Sequence, residues 1–181
     1  AAVLPSTPAD GGLARRMAEL RRLENLTGRA LRAAPPSGLS LAVPAFHNRM
    51  AAQGMALADA LAQNPASRAG SDLAQDAALR MDALARAGQR LAEGLDWFRT
   101  NPPATRRALA VNASLRLNEA ALALRLGEDQ RRTEALQAAL ALAENGLLPG
   151  ARWRALAGLG RLDEALAVLE ALPVDELGCG P

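Results

Sequence analysis

The chain has 181 residues, half of them hydrophobic, with a formal net charge of only +2, which suits one compact domain with its own core. Ala and Leu supply 43 and 33 residues, aromatics only 2%, and Ile, Tyr and Lys are absent. Strands draw on β-branched and aromatic side chains whereas Ala, Leu and Arg are strong helix formers, so a β-rich fold is excluded and an all-α fold predicted.

The same absences exclude chemistries. All 21 basic residues are Arg, so no Schiff-base lysine, Walker A lysine or kinase-type phosphate lysine is available. One His, His47, and one Cys, Cys179, leave no histidine pair for zinc, no Cys-x-x-Cys and no Glu-x-x-His di-iron pattern. A nucleophilic triad would have to be built on His47 alone, so the expectation is a protein that is not an enzyme, with no cofactor and no metal. The sequence pI near 9.8 reflects the scarcity of groups titrating above neutrality rather than a basic surface. The missing residue types with AT-rich codons point to a GC-rich bacterial genome.

In chain order, residues 1–10 read as a flexible lead-in. Ala1-Ala2 before a Pro/Ser/Thr-rich stretch is what signal-peptide removal often leaves, hence an expectation of an exported, periplasmic protein, without a disulfide framework to support it. Residues 11–100 read as an N-terminal helical region. Its first helix runs over about 11–33, with Leu13, Met17, Leu20 and Leu23 on one side and Arg15, Arg22 and Arg29 repeating every seven residues on another. A second helix follows Pro44, with Phe46, Met50, Gly54, Leu57 and Leu61 on one face, and Asn64-Pro65 ends it. Over about 71–100, the spacing of Leu73, Ala77, Met81, Leu84, Gly88, Leu91, Leu95 and Phe98 keeps one phase. It predicts a single long helix, the alternative being a break at Ala87-Gly88-Gln89. Asn101-Pro102-Pro103 is the clearest boundary. Four shorter helices follow at about 104–126, 130–144, 150–158 and 161–172, with Asp129 as an N-cap, Asn145-Gly146 as a stop and Pro149 as an opener.

Residues 155–173 read Ala-Leu-Ala-Gly-Leu-Gly-Arg-Leu-Asp-Glu-Ala-Leu-Ala-Val-Leu-Glu-Ala-Leu-Pro. This resembles the second half of a tetratricopeptide repeat, with Gly160 at the turn, Ala165 at the close crossing and Leu169 one turn later. Glu134-Ala135-Leu136 repeats the Glu-Ala-Leu triplet of residues 164–166. The resemblance covers about 104–173 and implies antiparallel helical hairpins stacked as a right-handed α-solenoid; a closed helical bundle is the alternative. Residues 174–181 are a tail. No stretch reaches the ~18–20 apolar residues of a membrane span.

The resemblance further implies that the first helix of each hairpin lines a groove for an extended peptide. The side chains expected to grip it are Arg107, Asn112, Arg116, Asn118 and Arg125, with Arg152 and Arg154 on the next such helix. Asn amides pair with a peptide backbone, and Arg holds a carboxylate in two places. Leu162, Leu166, Leu169 and Leu172 give the last helix a broad apolar face that a solenoid end normally covers. The expected function is therefore a protein-interaction module (scaffold, chaperone or assembly factor) binding a peptide or helix, acidic in character, or pairing with itself through the last helix. Two alternatives use other residues: an Arg-stripe binder of nucleic acid or anionic membrane, and a ligand carrier or enzyme built on His47. An accessory subunit of a larger complex is a third. The scarcity of aromatics outside the packing stripes argues against nucleic acid.

Overall fold

A computed structural model of the protein describes residues 41–63 and 73–172, together with Arg22, which is helical and exposed. The rest of the helix expected at 11–33, its Arg15 and Arg29 included, and the tail with Cys179 lie outside the described residues. Within them the fold is all-α: α1 (Ala42–Gln63), α2 (Leu73–Thr100), α3 (Arg106–Leu126), α4 (Asp129–Asn145), α5 (Pro149–Gly158) and α6 (Leu162–Glu170).

Consecutive helices pair as α1 with α2, α3 with α4 and α5 with α6. The central α3 also touches α1, α2 and α5, and α4 touches α5. Small side chains set the closest crossing: a Cβ at Gly54 of α1 would lie 3.2 Å from the Ala83 carbonyl and 3.3 Å from Ala87 Cβ of α2. That approach buries Ala51, Met55 and Ala58 against Ala83, Leu84, Ala87 and Leu91. Leu115 and Leu122 of α3 complete this cluster. A second group joins Ala139 and Leu140 of α4 to Ala155 and Leu156 of α5 and Ala165 of α6. Fully burying a leucine stabilises by about 1.5–3 kcal/mol, so the two groups hold three hairpins in one body through α3 and α4.

The long helix runs unbroken through Gly88, because the apolar phase that persists on both sides of Gly88 outweighs its propensity cost of about 1 kcal/mol. Thr105 caps α3, its hydroxyl accepting from the Ala108 amide at 3.1 Å. Gly127 closes that helix with φ 73°, a conformation glycine adopts without steric cost. Three boundaries differ from expectation. Asp129 is the first residue of α4 rather than its cap: Glu128 stands at the cap, without a side-chain cap bond. The last helix is Leu162–Glu170, shorter than 161–172 because the backbone turns at Ala171.

The third difference concerns the end of α4. Gly146 has φ −91°, and the left-handed residue there is Leu147, with φ 49°. The Leu148 amide reaches back to the Ala143 carbonyl at 2.8 Å, closing the helix with a leucine where glycine is usual.

Candidate functional site

The expected groove residues divide between two sides of α3. On one side Ser114, Asn118 and Arg125 face α1. Asn118 Nδ2 donates to Asn48 Oδ1 at 2.7 Å, and Asn48 Nδ2 donates to Ser114 Oγ at 2.9 Å. Arg125 Nε and Nη2 donate to the two oxygens of Asp59 at 2.9 and 2.5 Å. These pairs set α1 parallel to α3. They also commit the polar atoms of Asn118 and Arg125 to the chain's own helix. The pairing with Arg125 holds the Asp59 carboxyl below its ordinary value.

On the opposite side Arg116 Nη1 donates to Glu119 Oε2 at 2.9 Å, and Arg131 Nε of α4 stands 3.5 Å from Glu119 Oε1. Asn112 is half-buried, its Oδ1 without a hydrogen bond. Arg107 is exposed on the first turn of α3. Arg154 of α5 lies over the Trp153 ring, 5.5 Å from its centroid, within cation–π range. The seven residues thus do not converge on one surface.

Arg152 lies elsewhere, in an open cleft of about 770 Å³ where the end of α4, the start of α5 and one flank of α6 meet. Its apolar lining includes Leu147, Leu148, Val168 and Leu172. Arg106, Glu144, Arg152 and Glu164 supply its charge. Arg106 is fixed there: Nε and Nη2 donate to the carbonyls of Gly146 and Leu147 at 3.3 and 3.1 Å. Glu164 is held by two 2.6 Å hydrogen bonds from Arg161.

The cleft was not legible in the sequence, because Leu147 reads there as an ordinary residue of the turn between Asn145-Gly146 and Pro149. It is instead 78% exposed and left-handed, a conformation costing a side-chain-bearing residue roughly 1–2 kcal/mol. Leu162 and Leu166 of α6 are 65% and 55% exposed.

His47 is half-buried between α1 and α2, its Nδ1 3.1 Å from Glu93 Oε2. The approach is off the line a hydrogen bond needs, leaving that buried nitrogen without one. Arg90 binds the same carboxylate oxygen at 2.7 Å. Burial holds the imidazole below its ordinary value of 6.5; Glu93 pulls the other way, and Arg90 reinforces the burial. A cleft of about 580 Å³ opens beside Glu93, toward Val43, Trp97 and Thr100. Among the described residues no group of three His, Cys, Asp or Glu could hold a metal ion, and no helix is long and apolar enough to cross a membrane. The chain matches no family model, no curated protein and no solved structure.

Proposed function

We propose that the chain is a non-enzymatic protein-interaction module, a scaffold, chaperone or assembly factor, that takes up a partner peptide or helix at its C-terminal hairpin. The observation that carries this reading is Leu147, held by Arg106 in a strained conformation with its side chain bare beside the 770 Å³ cleft. The turn closes α4 and gives Arg106 its acceptor but leaves a leucine bare, and a ligand that covers it recovers the burial energy. A right-handed, tetratricopeptide-like stack is the architecture we assign. What supports it is the order of contacts, in which α1 touches α3, α3 touches α5, and each second helix touches the hairpin that follows. An origin in a GC-rich bacterium is part of the same proposal and rests on the absence of Ile, Lys and Tyr.

Affinity purification followed by calorimetry with the captured protein tests the reading. Arg152→Glu and Leu147→Ser, both in the cleft, should each weaken binding at least fivefold. Asn118→Ala should leave affinity unchanged and lower stability instead, since its amide bonds Asn48. A partner whose affinity responds to Asn118 and ignores Arg152 and Leu147 overturns the assignment to the cleft.

A further inference from the structure

The two hairpins at the C-terminal end repeat one another in sequence, and the repeat is unequal in its burial. Glu134-Ala135-Leu136 of α4 and Glu164-Ala165-Leu166 of α6 occupy matching positions. The two alanines behave alike, at 3% and 4% exposure. The leucines do not: Leu136 is 5% exposed and Leu166 is 55% exposed.

The difference has a definite source. Leu136 is covered by the following helix, α5, where Gly158 leaves room for it: a Cβ at Gly158 would stand only 2.7 Å from Leu136 Cδ2. One turn earlier on α4, Arg132 Nη2 donates to the Gly158 carbonyl at 3.1 Å. Positions 132 and 136 are therefore the seat on which α4 receives α5. Their counterparts on α6 are Leu162 and Leu166, and no described helix sits on them. The polar half of the seat, Arg132, is replaced by a second leucine, so the α6 version is wholly apolar. Asp163 and Glu170, both exposed, border this stripe seven residues apart.

We infer that the Leu162–Leu166 face of α6 is a docking site for an amphipathic helix of another protein, seated as α5 is seated on α4. This deepens the proposed interaction function and rests on it. The occupant carries Gly at the crossing, because even a Cβ there would strike Leu166 as it would strike Leu136. It carries Arg or Lys beside its apolar stripe, to meet Asp163 and Glu170. The hairpin-on-hairpin contact that already joins α4 to α5 continues across this face.

The chain contains a probe with the stated chemistry. A hydrocarbon-stapled peptide of residues 147–160 presents Gly158 at the crossing and Arg152 and Arg154 on its flanks; stapling offsets the instability of so short a helix. Fluorescence anisotropy with the full chain should show saturable binding. Leu166→Glu in the chain, or Gly158→Leu in the peptide, should weaken it at least tenfold, and Asp163→Arg about threefold. Both chain substitutions lie at exposed positions, and circular dichroism checks that the fold is kept. Absence of binding, or equal binding by Leu166→Glu, overturns the inference, as does a concentration-dependent dimer that Leu166→Glu abolishes, since the occupant would then be a second copy. A failed probe alongside a captured partner that still responds to Arg152→Glu removes this face and leaves the cleft assignment standing.

Discussion

Arg125 grips Asp59 through two parallel hydrogen bonds, Nε to Oδ1 at 2.9 Å and Nη2 to Oδ2 at 2.5 Å, across 66 positions of sequence. The same guanidinium donates through Nη1 to the Ala121 carbonyl at 2.8 Å, so its own helix holds it in the orientation that meets Asp59. This pair and the Asn48–Asn118 bond hold α1 against the side of α3 on which a bound peptide was expected.

Arg125→Ala should therefore cost stability, about 1 kcal/mol given that the pair is partly exposed, measured by urea unfolding at neutral pH. A double-mutant cycle with Asp59→Ala should return a coupling of about 0.5–1 kcal/mol. Because the pairing lowers the Asp59 pKa, its contribution is complete above the ordinary carboxylate value and is lost as pH falls through the lowered one. Additive single mutants would show that the pair carries no stability.

Gly94 lies where α1, α2 and α3 meet. A Cβ there would stand 2.9 Å from Leu115 Cδ2 and 3.2 Å from His47 Cβ. Leu115 is fully buried, so any shift it makes must be taken up within the core. Gly94→Ala should lose about 1–3 kcal/mol by overpacking, despite the gain of about 1 kcal/mol in helix propensity. A rise in Tm for this variant would show that the three helices are not in close contact.

Acid should weaken the fold through His47 before it reaches the carboxylates. The folded imidazole titrates below 6.5, so on acidification the unfolded chain takes up its proton first. Stability from this group is full above about pH 6.5 and is lost as pH falls toward the lowered folded value. Urea midpoints at pH 7.5 and 5.5 should differ in that direction, and His47→Gln should reduce the difference. An unchanged pH slope in His47→Gln would assign the effect to other groups.

Leu147→Gly should separate stability from recognition. Glycine relieves the left-handed strain, so the variant should be more stable by about 0.5–1 kcal/mol, while losing the bare side chain beside the cleft and with it at least fivefold in partner affinity. Loss of stability without loss of affinity would make Leu147 a structural residue.

Periodicity made most of the helices legible. The unbroken phase from Ala77 to Phe98 identified α2 in spite of Gly88, and Pro149 marked the start of α5. The N-cap of α4 was not legible, because Glu128 and Asp129 are adjacent acids and only the backbone dihedrals decide between them. The same ambiguity hid the fate of Asn118 and Arg125: a polar side chain at a given helical angle looks alike whether it meets a foreign peptide or another segment of its own chain. Asn48 and Asp59 lie 66–70 positions from their partners, and no local pattern links them. The apolar face of α6 was legible from the spacing of Leu162, Leu166 and Leu169, whereas the strain at Leu147 depends on which of two neighbouring residues takes the left-handed turn.

Amide hydrogen exchange on the full chain, resolved by residue, bears most directly on the claim that the C-terminal hairpin ends in an unfilled recognition face. The amides of Leu162 to Glu170 should exchange faster than those of α3 in the free protein, as expected of the least covered helix, and slow at least tenfold on addition of the stapled 147–160 peptide. Protection of α6 equal to that of α3 in the free monomer would contradict it, because the face would already be covered.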